Sequence, residues 1–188
     1  RIGSSFSIVS SLSKTILKLS LGSRLVLGGN RAIPGWQNVQ RPDGAQAWVR
    51  LRDIAFLPDR PVFSDDLRQK IVQTARGFIG GPYFWGGRSF YNPRNKKLKT
   101  GVDCSGLVNL SYRAHGIDVP RDAHEQFMKA KRLAAGELND GDLIFIVGEK
   151  NTENITHVMM YAGEGRIVEA AGQEVGIREM PLAKRLGA

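Results

Sequence analysis

The chain has 188 residues and a formal net charge of +9, from 27 Lys and Arg against 18 Asp and Glu. Its length holds one ordinary domain plus a small one, and a hydrophobic content of 41% is enough for a core. No apolar run approaches the roughly 18 residues of a membrane span, and a single cysteine excludes an internal disulfide, leaving either redox compartment open.

The charge is unevenly spread. Residues 1–124 hold 19 Lys and Arg against 8 Asp, with no glutamate before Glu125, whereas residues 125–188 hold 8 against 10. A basic front part suits nucleic acid, an anionic membrane surface or an anionic wall polymer, and equally a diffuse surface with no specific partner. The chain starts at Arg1 rather than methionine, and Arg1 to Ser20 is serine-rich without a continuous apolar stretch. The expectation is a start inside a longer chain, with no signal peptide in view.

In chain order, residues 1–57 read as short strands broken by turns. Leu19, Leu21, Leu25 and Leu27 flank Gly22-Ser23, and Gly28-Gly29-Asn30 is a turn signal. Trp36 to Gln40 and Ala47 to Leu51, joined at Pro42-Asp43-Gly44, predict a β-hairpin. This pattern resembles the bacterial Src-homology-3-like barrel, whose usual first strand would lie at or before Arg1. Leu57 to Pro61 reads as a linker, because two prolines interrupt any period. The expected organisation is therefore a β-barrel over 1–58, a linker over 59–64 and a second domain over 65–188.

Ser64 is a good N-cap for a helix over about Asp65 to Ile79, with Leu67, Ile71, Val72, Ala75 and Phe78 at helical spacing and Gly80-Gly81-Pro82 as its stop. Tyr83-Phe84-Trp85-Gly86-Gly87 follows, and then a cationic loop, Asn92 to Thr100. That loop is either a solvated excursion or the rim of a cleft that attracts an anionic substrate. Cys104 opens a second amphipathic helix with Asp103 at its N-cap and Gly116 at its end. A third helix is expected near Ala123 to Arg132. Strands follow at Asp142 to Val147, His157 to Ala162 and Arg166 to Ala170, the last two joined by Glu164-Gly165. Helices followed by antiparallel strands predict an α+β domain.

A lone cysteine is commonly a small buried hydrophobe. In a helix's first turn, however, free N–H groups and the helix dipole favour its thiolate. Of the three histidines, His115 lies about 16 Å along the same helix, too far for proton transfer, and His124 starts the next helix. His157 opens a strand that packs on the cysteine helix and is the candidate base. The hairpin register sets Glu169 across from it within a residue or two, where a carboxylate would accept the Nδ1–H and fix the tautomer. A surface glutamate on an edge strand is the alternative. Cysteine, histidine and acceptor are the components of nucleophilic acyl transfer.

Four segments in this order, Pro82-Tyr83-Phe84-Trp85-Gly86-Gly87, Asp103-Cys104-Ser105-Gly106-Leu107-Val108, Gly141-Asp142-Leu143-Ile144-Phe145 and Thr156-His157-Val158 leading to Ile167-Val168-Glu169-Ala170, resemble the NlpC-type cell-wall cysteine peptidases over about residues 65–182. The resemblance implies a papain-like fold that hydrolyses peptidoglycan stem peptides at the γ-D-glutamyl–diamino acid bond, diaminopimelate or lysine. Cys104 matches the nucleophile, His157 the base, and Glu169 the family's third residue, which is usually a histidine. Tyr83 matches a tyrosine whose hydroxyl, with the Cys104 backbone N–H, would hold the oxyanion. Asp103 and Ser105 match positions lining the groove, and Asp122 an acidic residue that holds the stem peptide's free amine. The serine often found after that acid is Ala123 here. The acid and tyrosine that some relatives bring from the front domain have no counterpart, since residues 1–57 contain neither glutamate nor tyrosine.

The expectation is thus a monomeric peptidase acting on peptidoglycan or muropeptides in the cell envelope, or in cytoplasmic recycling, with no cofactor, metal site, nucleic-acid partner or membrane insertion. Two other readings stand beside it. One is an inactive wall-binding module with a basic front part, the other an amidase or acyltransferase on the same fold.

Overall fold

The computed structural model describes residues 5–11, 14–29, 33–41, 43–58, 61–89, 100–134, 136–148 and 154–187. Of the cationic loop expected over Asn92 to Thr100, residues 92–99 lie outside them, as do residues 59 and 60 of the expected linker and residue 42 of the hairpin turn.

The front of the chain forms one antiparallel sheet from β1 (Ser5–Ser11), β2 (Lys14–Ser20), β3 (Val26–Leu27), β4 (Trp36–Gln40) and β5 (Gln46–Arg50), in the order β2-β1-β5-β4-β3. The predicted hairpin is β4–β5, with Trp36 opposite Arg50 and Gln40 opposite Gln46. Its turn closes through Gly44 N–H to Arg41 O and Arg41 N–H to Ala45 O, both 2.9 Å. Val39, Ala47 and Val49 share one pleat face and make a small core with Leu19, Leu25 and Ile54. The serine-rich start forms the β1–β2 hairpin, two strands within the region read as short strands.

Ser64 caps α1 (Asp65–Arg76), its hydroxyl accepting the Leu67 N–H. The helix stops three residues short of Ile79. Its last bonds tighten to three-residue steps, Phe78 N–H to Ala75 O and Ile79 N–H to Arg76 O, and the Gly80 N–H then leaves for Ile177 O. The short pair β6 (Arg88–Ser89) and β7 (Gly101–Val102) leads into α2 (Cys104–Arg113), and α3 (Ala123–Lys129) follows, ended by an extended Ala130. A four-stranded antiparallel sheet completes the fold: β8 (Leu143–Val147), β9 (Ile155–Tyr161), β10 (Arg166–Gly172) and β11 (Gly176–Pro181), in the order β11-β10-β9-β8, with α4 (Leu182–Leu186) after it.

The main core lies between the helices and one face of this sheet. Ile71, Val72 and Ala75 of α1 and Leu107, Val108 and Leu110 of α2 meet Val158, Met160, Val168, Ala170 and Ile177 of the strands. Pleat alternation therefore puts His157, Met159, Ile167 and Glu169 on the other face. The turn after β2 meets the second unit at α2 and the segment that follows it. Leu21 packs against the main core, Arg113 of α2 donates to Gly22 O at 2.9 Å, and Arg24 pairs with Asp118 at 2.7 Å. The domain is α+β with helices on an antiparallel sheet, as expected. No helix of the described residues is long and apolar enough to cross a membrane.

Candidate active site

Asp103 anchors the start of α2. Its Oδ1 accepts the Gly106 N–H at 2.7 Å, an N-cap bond that leaves Cys104 in the first helical turn. The other oxygen accepts the Gly86 N–H at 2.8 Å, so the Gly86-Gly87 segment is tied to the same cap. Close approach requires glycine here. A Cβ on Gly106 would lie 2.4 Å from the Gly87 carbonyl oxygen. Arg121 closes the network from the α2–α3 connection, donating to both Asp103 oxygens at 2.7 and 3.0 Å and to Ser105 Oγ at 2.9 Å. A backbone bridge between Tyr83 and Val102 brings the Tyr83 ring beside this helix start. Burial, then the charges of Cys104 and Asp103, pushes the phenol pKa up, so the hydroxyl stays a donor.

His157 reaches the cysteine from β9. Ile146 pairs with His157 and Val147 with Ile155, so Thr156 is an extra residue, a β-bulge directly before the histidine. Such a bulge re-aims the next side chain, and the Thr156 hydroxyl ties it down by donating to Ile146 O. The β9–β10 register pairs Ile167 with Tyr161 and Val168 with Met160. Continued, it puts Glu169 one diagonal step from His157 on the same face. The imidazole Nε2–H donates to Glu169 Oε2 at 2.7 Å. The sequence reading set Nδ1 toward the acceptor; the structure corrects this, because the diagonal approach presents Nε2 and leaves Nδ1 for the thiol.

Electrostatics follow from these contacts. Burial alone would push the Cys104 thiol up, but the hydrogen bond and charge of His157, helped by the Val158 N–H, bring it below its ordinary value. For His157, burial favours the neutral ring, yet hydrogen bonds to Cys104 and Glu169 raise its pKa to about 9. Glu169 has no exposed surface, and burial would raise its pKa. Hydrogen bonds from His157, Arg178 and Arg185 instead hold it down at about 2. The lowered thiol and the raised imidazole together favour a thiolate–imidazolium pair backed by a carboxylate.

Residues 80–184, more than half the chain, match the NlpC/P60 family. This chain belongs to that family. The gamma-D-glutamyl-L-lysine dipeptidyl-peptidase of Bacillus cereus is 30% identical over 166 residues, 88% of this chain and 46% of that protein. The bifunctional muramidase/DL-endopeptidase CwlT of Bacillus subtilis is 36% identical over 136 residues, 71% of this chain and 38% of that one. The chain thus spans less than half the length of these relatives. The crystal structure of an NlpC/P60 family protein from Bacillus cereus ATCC 10987 superposes with a TM-score of 0.76 at 29% identity, covering 95% of this chain and 55% of that one.

In this NlpC/P60 chain the sequence-expected groove residues divide. Asp103 and Ser105 are buried, and their side chains turn inward to the Arg121 network rather than toward solvent. Asp122 is exposed at the start of α3 and makes no capping bond. His124 is exposed, and His115 is tied to the Thr74 hydroxyl at 2.8 Å, remote from the cysteine. Sequence reasoning missed Arg121, Arg178 and Arg185. A buried aspartate N-cap needs a cation, and Arg121 was the nearest in sequence after the helix; Arg178 requires the β10–β11 register, which pairs it with Glu169. Among the described residues no cluster of three or more His, Cys, Asp or Glu is placed to hold a metal.

Proposed function

We propose that this chain is a cysteine peptidase that hydrolyses peptidoglycan stem peptides at the γ-D-glutamyl–diamino acid bond. The observation that carries the reading is the Cys104–His157–Glu169 relay, assembled at a helix N-terminus with Tyr83 beside it. The names of the Bacillus relatives support the γ-D-glutamyl bond as the target.

The Cys104 thiolate attacks the γ-carbonyl carbon of D-glutamate. The oxyanion formed accepts hydrogen bonds from the Cys104 backbone N–H and the Tyr83 hydroxyl. The His157 imidazolium gives its proton to the leaving amine of the diamino acid, and the acyl-enzyme remains. Neutral His157 then takes a proton from water, and the hydroxide releases the glutamyl product. Glu169 keeps the ring oriented through Nε2. Exposed Asp122, on the approach to α3, binds the free amine of the stem peptide, while Asp103 and Ser105 serve the site by fixing the nucleophile's helix. Residues 1–58 are read as the Src-homology-3-like unit and residues 65–188 as the peptidase. The substrate places the protein in the cell envelope or, for released fragments, in muropeptide recycling.

Mass spectrometry of L-Ala-γ-D-Glu-meso-diaminopimelate, free or acylated at its amino terminus, tests the reading. Release of L-Ala-D-Glu from the free peptide supports both the bond and the role of Asp122. Equal cleavage of the two removes that role, and cleavage of neither by folded, reduced protein refutes the peptidase and favours a wall-binding module.

A further inference from the structure

Glu169 departs from the histidine usual at its position, and the departure has a local counterpart. Its buried carboxylate is gripped from two further elements. Arg178, directly opposite on β11, donates through Nε and Nη2 to Oε1 at 3.0 and 2.7 Å. Arg185, on α4, donates through Nε to Oε1 and Oε2, both at 3.1 Å. The helix carrying Arg185 is pinned by Leu182 N–H to Gly165 O at 2.8 Å. Arg185 lies one residue beyond the segment that matches the family.

We propose that Arg178 and Arg185 are positioning residues: a guanidinium clamp that locks Glu169 as the acceptor for the imidazole and balances its charge, so that the His157 imidazolium stays acidic enough to surrender its proton. This rests on the peptidase reading of the same site. An uncompensated buried carboxylate would either take up a proton or bind the imidazolium so tightly that proton transfer to the leaving amine slows. With two guanidinium groups on the carboxylate, neither happens.

Among the described residues, the groups that face the His157–Glu169 pair are few. From α2 comes Cys104, with Asp103 behind it; Tyr83 stands beside the thiol, Arg178 comes from β11 and Arg185 from α4. Glu179 and Arg166 belong to a separate pair with Arg76. Through the shared Oε2, Arg185 Nε lies within about 6 Å of His157 Nε2. A positive charge at that distance opposes a second one on the ring. Its loss should therefore raise the imidazole pKa by about half a unit to two units.

The test uses the full chain with Arg185→Gln, Arg178→Gln and Arg185→Lys. The titration of His157 is followed by NMR of the imidazole, its signal assigned against His157→Ala. Alongside it, kcat and KM are measured on the free stem peptide. The expected result is an upward shift of the His157 midpoint in both glutamine variants, with kcat near neutral pH lower by about tenfold and KM unchanged. Arg185→Lys should restore the midpoint and most of kcat. A His157 midpoint that is unchanged or lower in the folded glutamine variants overturns the clamp, even if melting temperature falls. If the wild type hydrolyses no stem peptide, the peptidase reading fails, and the titration still decides the clamp by itself.

Discussion

Replacing Glu169 with glutamine removes one charge from the centre of the site and changes almost no volume. Three donors, His157, Arg178 and Arg185, would then surround a neutral amide with no exposed surface. The carboxylate titrates at about 2 against an ordinary 4.5. At about 1.4 kcal/mol per pH unit, that difference is about 3 kcal/mol of stabilisation for the ionised form. The raised His157 pKa describes the same contact from the other side and is not added. Because the folded-state pKa is depressed, the contribution is fully present above about 4.5 and disappears as pH falls toward 2. Urea unfolding across pH 2–8 measures it. Glu169→Gln should be less stable than wild type by about 3 kcal/mol at pH 7, in line with breaking a buried ion pair, and the gap should close on acidification. A gap under about 1 kcal/mol at pH 7, or one independent of pH, would refute the reasoning.

Three other outcomes follow from the same geometry. Cys104 in wild type should react with iodoacetamide below the ordinary thiol pKa, whereas His157→Ala should push its alkylation profile upward, because burial is then opposed only by the Val158 N–H; alkylation rate against pH reads this. Tyr83→Phe should lower kcat by roughly 10²-fold with KM little changed, as expected for loss of one oxyanion donor, read by steady-state kinetics on the stem peptide. Arg121→Met should cost about 3 kcal/mol or more by unfolding midpoint, since it strands the buried Asp103 carboxylate at the start of the Cys104 helix.

Much of this architecture was legible because local chemistry and tertiary fold agree. The cap at Ser64, the helical spacing of Ile71, Val72 and Ala75, the Asp103 cap before Cys104 and the Glu164-Gly165 turn each announce an element that formed. The diagonal from His157 to Glu169 was nearly readable from the hairpin alone. The nitrogen that meets the carboxylate was not, because a one-residue bulge at Thr156 sets the ring's approach and no local signal announces it. The β1–β2 hairpin escaped notice because serines obscure its alternation. The fourth strand of the second sheet ends in Pro181, and its two apolar residues, Ile177 and Met180, are three apart and out of step with a period of two, a weak signal. The helix after it has five residues, too few for a period to be visible. Arg185 was invisible for that reason, although it touches the most deeply buried charge in the site.

The contact between Arg113 and the Gly22 carbonyl has a consequence for anyone who would rearrange this chain. Arg113 is the last residue of the helix whose first residue is Cys104, so the turn after β2 leans on the far end of the lever that carries Cys104. Leu21 fills part of the same interior, and Gly22 holds a left-handed φ of 77° against Arg113 and Leu110, where a side chain would be strained. A graft that trades the front sheet for another module must therefore reproduce the tight corner at Leu21-Gly22, or it will open a hole beneath the Cys104 helix. Exchanging modules here is surgery on the interior, not the retying of a tether.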